Sequence, residues 1–305
     1  MIYDLIIIGA SASGISAAIY AARARLNFLI ITKNVGGNAA KAGLIENYLG
    51  FLSIEGVNLI ETFRQHLEKY TPNIIFKEVE SIEKEKRLFL IKAGKQNFKS
   101  KTIIIASGAD PEKLNLPGEK EYFNKGISYC ETCDGPLFVN KDIAIIGGGN
   151  SALKATVALS KIASHIYLIA IEKELEGEKI MIEKTRQIKN IEIIYQAKTT
   201  DFFGANFLKG LHYQDLNTNK TKEIKISGAF IYIGVKPNTK FVSSDLDVLN
   251  EKKEIITDES CQTKIPGLFA SGDVVNNPYR QISIAVGEGA KAALVAIDYL
   301  DNIRK

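Results

Sequence analysis

Cysteine and histidine are scarce in this chain. Its 305 residues include three of each. The cysteines, Cys130, Cys133 and Cys261, are odd in number and follow no recognisable leader, so a disulfide scaffold is not expected. No second C-x-x-C accompanies Cys130-Glu131-Thr132-Cys133, and His66, His165 and His212 stand apart from one another. Structural zinc needs four nitrogen or sulfur ligands, so no metal is expected. There is also no basic run. The chain has 39 Lys+Arg against 35 Asp+Glu, and the lysines are spread along its length, which leaves no footprint for nucleic acid. Leu5–Ala22 lacks charge altogether, but only Asp4 precedes it, and Gly9, Ser11, Ser13, Gly14 and Ser16 punctuate it. That is neither a leader nor a membrane span, and no other stretch approaches the ~18 apolar residues of a span. A cytoplasmic protein without nucleic-acid or membrane partners is expected.

What is present points to a globular core. Hydrophobic residues make up 46% and charged residues 24%, and the length suggests about two domains. YDLIIIGASASGISAAIYAARA reads as strand, tight turn and helix, with Ile6, Ile7 and Ile8 forming a solid apolar run. Such a run marks a strand buried on both faces. NFLIIT supplies the next strand. KDIAIIGGGNSALKATVALSKIAS followed by HIYLIA repeats the plan. KTIIIASGADPEKLNLPG and SGAFIYIGVKPNT form a second matched pair, each an apolar run, a glycine (Gly108, Gly234) and a proline. Two units with the same order of parts suggest a duplicated fold. A further strand, in IPGLFASGDVV, and a helix over Ile282–Leu300, weakened by Gly287 and Gly289, complete the chain. Spacing alone does not say which unit uses them.

The turns carry the chemistry. Gly9-Ala10-Ser11-Ala12-Ser13-Gly14 is a dinucleotide fingerprint with Ser11 in place of the middle glycine. The Ser11 hydroxyl is expected to donate to a phosphate. Gly147-Gly148-Gly149-Asn150-Ser151-Ala152 is a cleaner match. Both turns open a helix, where free N–H groups and the dipole favour an anion. Cys130 and Cys133 are close enough in sequence to form a disulfide, which in this setting reads as a redox dithiol. Asp134 either exchanges a proton with a thiolate or serves a turn with Gly135 and Pro136. Cys261 reads as a small filler residue.

At this point the chain resembles the low-molecular-weight thioredoxin reductases. The resemblance rests on the first fingerprint, Gly36-Gly37, Glu46-Asn47-Tyr48, Cys130-Glu131-Thr132-Cys133-Asp134-Gly135, GGGNSA, GLFASGDV and Tyr279-Arg280-Gln281. It implies an α/β protein of two Rossmann-like three-layer nucleotide-binding domains, the second inserted in the first. The FAD domain would span residues 1–112 and 246–305, and the inserted dithiol and pyridine-nucleotide domain 113–245. FAD would be held by Gly9, Ser11, Ser13, Gly14, Gly36, Gly37, Asn38, Asn47, Gly108, Gly272, Asp273, Arg280, Gln281 and Ile282. Asn38 stands where the family usually has glutamine. A second nucleotide would meet Gly147, Gly149, Asn150, Ser151 and Glu172. In the family's cycle, reduced flavin reduces the Cys130–Cys133 disulfide, with Cys133 nearer the flavin. Cys130 then attacks the disulfide of thioredoxin or a glutaredoxin-like small redox protein, and Asp134 is the acid–base partner. The family is typically homodimeric.

One stretch departs from the family. Relatives that use NADPH follow the second strand with His-Arg-Arg and a further arginine, which grip the 2′-phosphate. The matching residues here are Ala170, Ile171, Glu172 and Glu176, in YLIAIEKELEGE. This argues against NADPH and leaves NADH, with Glu172 on the ribose 2′-hydroxyl, or a donor such as ferredoxin. Two other readings compete. A ferredoxin–nicotinamide reductase of the same architecture would lack the dithiol. A flavin- or redox-responsive binding protein would show no turnover with any donor.

Overall fold

Solid apolar runs become central parallel strands. In the computed structural model, which describes residues 1–304, the strand Ile2–Ala10 lies between Phe28–Val35 and Gln96–Ile105 and runs parallel to both. Ile74–Phe76 extends the sheet on one side and Leu268–Ala270 on the other. Successive side chains point to opposite faces. Leu5, Ile7, Ile30, Ile104 and Phe269 pack with alanines of the helices Ala12–Arg23 and Ile282–Arg304. Ile6, Ile8, Leu29, Ile31, Ile103 and Ile105 pack on Val79, Ile82, Phe89 and Ile91 of an antiparallel meander. Covering both faces is what removes the polar alternation from these strands.

The other unit repeats this order. Asp142–Ile146 lies between His165–Ile169 and Gly228–Ile231, with Ile191–Ile194 and Ile127–Ser128 at the edges, all parallel. Ile143, Ile145, Ile166, Leu168 and Phe230 pack on the helix Asn150–Leu159. Ala144, Ile146, Ile169, Ala229 and Ile231 pack on the antiparallel strands Ala197–Gly204 and Leu208–Asp215, with Thr221–Lys225 beyond them. Each unit is thus helices, parallel sheet and antiparallel sheet in three layers.

Residues 1–110 and those from 236 onward form the first unit, and 111–235 form the second. The closing strand and helix therefore belong to the first unit, which makes the second an insertion. The return comes at Lys236 rather than near Leu246. The polar residues after VKPNT resemble a linker, but Val242 and Leu246 are buried in the first unit's core, and Phe241 accepts a backbone hydrogen bond from Ile82 at 3.0 Å. Lys305, the last residue of the expected third segment, lies outside the described residues.

Gly287 and Gly289 do not break the final helix, and they play opposite roles. A Cβ at Gly289 would lie 2.1 Å from the Ser13 carbonyl oxygen, whereas one at Gly287 meets nothing within 4 Å. Gly289 lets the two helices close on each other, and Ser16 Oγ donates to the Val286 carbonyl at 2.7 Å in the same contact. Gly289→Ala is expected to cost ~1–3 kcal/mol by overpacking. Gly287→Ala should stabilise by ~0.5–1 kcal/mol through helix propensity. Urea unfolding of the two variants measures both, and equal effects would contradict the assignment.

Candidate active site

The first cradle is built by backbone approach. Gly9 has φ +108°, and a Cβ there would lie 2.3 Å from the Ala106 carbonyl oxygen. A Cβ at Gly14 would lie 2.0 Å from the Gly9 carbonyl oxygen. Only glycine fits either place. Ser11 precedes the helix in an extended conformation, and its Oγ donates to the Gly36 carbonyl at 2.7 Å. The sequence assigned that hydroxyl hydrogen to a phosphate. Here it is used within the fold and ties the fingerprint to Gly36-Gly37. Ser13 Oγ pairs with Ser271 Oγ at 2.7 Å, and Gly272 (φ +78°) packs on Ser13. Asn38 Nδ2 donates to the Ala109 carbonyl at 2.6 Å, beside Gly108 with φ +70°.

The residues that close the same unit complete the cradle. Burial pushes the Asp273 carboxyl up to about 6; neighbouring Glu288 pushes the same way and Arg280 opposes it. Glu288 accepts from the Gly272 N–H at 2.7 Å and from Asn277 Nδ2 at 2.5 Å. Arg280 donates to Glu254 at 2.7 Å, yet its Nε is buried without a hydrogen-bond partner. Gln281 accepts from Asn47 at 3.3 Å, and Ile282 begins the last helix. An orphaned buried donor beside glycine turns that no side chain could occupy fits a large anionic cofactor such as FAD.

The second glycine turn has its own acceptor. Gly147 has φ +134°, and a Cβ there would lie 2.2 Å from the Tyr232 carbonyl oxygen. Gly149 precedes the helix that starts at Asn150 and Ser151. A Cβ at Gly148 would lie 2.7 Å from Glu172 Oε2, an oxygen that is buried with no partner among the described residues. Glu172 is therefore turned onto the fingerprint. The rest of the acidic loop is tied there too. The Glu176 N–H donates to the Gly148 carbonyl at 2.9 Å, and the Glu178 N–H donates to Asn150 Oδ1 at 2.8 Å.

The dithiol lies in the same unit. Cys130 and Cys133 are joined as a disulfide, with Cα atoms 5.3 Å apart. Cys130 precedes the short helix Glu131–Asp134, and its Sγ accepts the Cys133 N–H at 3.2 Å. Asp134 accepts from Ser128 Oγ at 2.5 Å. Burial raises its carboxyl above the ordinary value, against the pull of that hydrogen bond. A carboxyl that holds its proton longer than usual is better suited to give it to a leaving sulfur. Cys261 is buried and free, its thiol pushed up to about 11 by burial, as befits a filler residue. Among the described residues no cluster of His, Cys, Asp or Glu could hold a metal ion.

The sequence did not disclose what holds the dithiol turn. Ser128, buried, reaches both Asp134 and, at 3.0 Å, the Cys130 N–H. Tyr129 donates to buried Glu119 at 2.6 Å, and Glu119 also takes the N–H groups of Leu114 and Leu116. Tyr232, just after the strand Gly228–Ile231 and far away in the chain, bonds Glu131. The C-x-x-C motif marks the cysteines and Asp134, whereas these partners carry no motif of their own.

Comparison with known proteins agrees with this geometry. Residues 3–289 match the pyridine nucleotide-disulphide oxidoreductase family. The chain is 39% identical over 301 residues to the thioredoxin reductase of Ureaplasma parvum, covering 98% of this chain and 97% of that one. It is 38% identical to a subunit of the alkyl hydroperoxide reductase of Staphylococcus aureus, covering 98% of this chain but spanning only 59% of that protein's length. The crystal structure of thioredoxin reductase from Streptococcus pyogenes superposes with a TM-score of 0.94 at 33% identity, with 99% of each chain covered. A ferredoxin-flavin thioredoxin reductase from Clostridium acetobutylicum superposes with a TM-score of 0.54 at 27% identity, again with 99% of each chain covered. No helix among the described residues is long and apolar enough to cross a membrane.

Proposed function

This chain belongs to the thioredoxin reductases of the pyridine nucleotide-disulphide oxidoreductase family, and on that premise we propose that it reduces the disulfide of thioredoxin or a glutaredoxin-like small protein, with an electron donor other than NADPH. The Cys130–Cys133 disulfide, set beside Asp134 in the inserted unit, carries this reading. FAD, when bound, supplies two-electron transfer to that disulfide. The FAD site proposed is Gly9, Ser11, Ser13, Gly14, Gly36, Gly37, Asn38, Asn47, Gly108, Gly272, Asp273, Arg280, Gln281 and Ile282. Arg280, whose buried Nε has no partner, and Asp273 would orient the group, and Ser11 holds the fingerprint against Gly36-Gly37.

The residues of the inserted unit then do the thiol chemistry. Cys130 as thiolate attacks one sulfur of the partner disulfide, a new S–S bond forms and the partner's other sulfur leaves. Asp134 gives that sulfur a proton. Cys133 next attacks Cys130 Sγ, which restores the Cys130–Cys133 disulfide and releases the partner as a dithiol. The alkyl hydroperoxide reductase relatives are longer than this chain, so their whole-protein activity is not carried over. The donor reading rests on Glu172, whose free oxygen beside Gly148 accepts a ribose hydroxyl and repels a phosphate. NADH and ferredoxin both fit it, the latter by likeness to the clostridial enzyme. A homodimer is part of the proposal, for which Leu49 and Leu52, 97% and 98% exposed, supply apolar surface.

The test begins with the purified protein, which should be yellow with about one FAD per chain. After anaerobic reduction with dithionite and removal of the excess, addition of oxidised thioredoxin should return the flavin to its oxidised spectrum and place two thiols on thioredoxin. Protein that stays colourless when incubated with FAD removes the basis of the reading. Flavin that reduces but yields no thiols on the partner favours a redox-responsive binding protein instead.

A further inference from the structure

The dithiol turn is gripped from a strand that carries no cysteine. Tyr232 directly follows Gly228–Ile231, and its N–H donates to the Ile146 carbonyl at 2.8 Å, which fixes its backbone in line with that strand. Its side chain reaches Glu131, the residue after Cys130. The Tyr232 hydroxyl accepts the Glu131 backbone N–H at 2.8 Å and donates to the Glu131 carboxylate in a short hydrogen bond. One bond fixes the Glu131 backbone on the hydroxyl, and the other holds one carboxylate oxygen to it. Burial, with Glu131 next, raises the Tyr232 phenol far above its ordinary value, so the hydroxyl remains a neutral donor. The other carboxyl of the turn, Asp134, is held separately by Ser128.

We propose that Glu131, clamped by Tyr232, is a positioning residue that sets the redox potential of the Cys130–Cys133 pair and keeps its dithiol strongly reducing. The proposal rests on the redox reading of that pair given above. In the half-reaction the S–S bond takes up two electrons and two protons and becomes two thiols. The reduced side gains stability to the extent that a thiolate forms. A carboxylate fixed between the two cysteines in sequence disfavours that thiolate. It opposes the Cys133 N–H, which on Cys130 Sγ acts in the thiolate's favour. The less the reduced form is stabilised, the more readily it hands its electrons to a partner disulfide.

The test uses the whole protein with its FAD. Wild type, Glu131→Gln and Tyr232→Phe are equilibrated with a graded series of reduced and oxidised dithiothreitol. The state of the cysteines is counted by alkylation and mass, and bound FAD in the same samples reports folding. Glu131→Gln is expected to shift the equilibrium toward the dithiol by about tenfold, an upward move of ~30 mV for a two-electron couple. The Cys130 thiol pKa, read from the pH dependence of alkylation, should fall alongside. Tyr232→Phe should shift the equilibrium the same way by about threefold, because a released carboxylate moves toward solvent. A purely structural clamp would change stability without moving either readout. If Glu131→Gln retains FAD and stays within about twofold of wild type, the proposal is refuted while the redox reading stands. If the wild-type pair does not interconvert at all, the redox reading itself fails. Should Tyr232→Phe not fold, Glu131→Gln decides alone.

Discussion

Cys133→Ser is expected to abolish reduction of thioredoxin-type disulfides, by on the order of a thousandfold or more, while FAD remains bound. The loss is large because two sulfurs act as one unit, and a relay missing either partner has no partial mode. Without Cys133, the mixed disulfide formed by Cys130 has no neighbour to resolve it. Cys130→Ser should be equally inactive for a different reason, since no thiolate remains to attack the partner. The two variants are told apart by trapping. Only Cys133→Ser should accumulate a covalent complex with the partner, visible by mass under non-reducing conditions. Binding of FAD should survive in both, because the glycine turns, Asp273 and Arg280 belong to the other compact unit. Cys261→Ser should alter neither property, since its thiol is buried and held well above the working pH. Full activity in either single variant of the C-x-x-C would show that the pair is not the relay.

This result also separates the leading reading from its competitors. A ferredoxin–nicotinamide reductase of the same architecture would not depend on Cys130 or Cys133, so its activity would survive both substitutions. A binding protein would have no turnover to lose. Glu119 and Tyr232 both reach the segment from Ser128 to Asp134, and Ser128 bonds Asp134 within it. These part-buried hydrogen bonds hold the turn that carries the cysteine pair.

What the sequence disclosed follows from the kind of constraint involved. The parallel strands were legible because Ile6–Ile8, Ile103–Ile105 and Ile143–Ile146 are buried on both faces and so lose the polar alternation that solvent imposes. The fingerprints were legible because Gly9, Gly14 and Gly147 sit where any Cβ would strike backbone. The second boundary was harder. Asn238–Leu246 looks like a polar linker, and only tertiary packing shows that Val242 and Leu246 belong to a core. The bond from Ser11 Oγ to the Gly36 carbonyl has no signal in the sequence, because Gly36 lies close only in the folded chain. Glu131 and Tyr232 escaped for the same reason. Hydrogen bonds across a hundred residues leave no local pattern.

NADPH is expected to reduce the flavin poorly, and Glu172 is the residue that decides it. Its Oε2 is buried beside Gly148 with no donor among the described residues, so it is placed to accept a hydrogen bond from a hydroxyl. A 2′-phosphate carries roughly two charges, and a carboxylate about 4 Å away repels each by ~4 kcal/mol at an effective dielectric near 20. Screening, side-chain movement and Arg186, which interacts with Glu174, lower that figure, but the loop itself supplies only Lys173. Glu174, Glu176 and Glu178 share it with Lys173 alone, and backbone bonds from Glu176 and Glu178 hold it against the turn. A ribose with a free 2′-hydroxyl meets none of this repulsion and supplies the donor that Glu172 lacks. Mixing the oxidised protein anaerobically with NADPH, NADH or reduced ferredoxin, and following bleaching of the flavin band, should therefore show NADPH slowest. Replacing Glu172 and Glu176 together by arginine should speed bleaching by NADPH by about tenfold or more and slow bleaching by NADH. Fast bleaching of the unmodified protein by micromolar NADPH would overturn the reading of Glu172. Bleaching by ferredoxin alone would mean that Gly147–Gly149 keeps the shape of a nucleotide turn while the electrons arrive by another route.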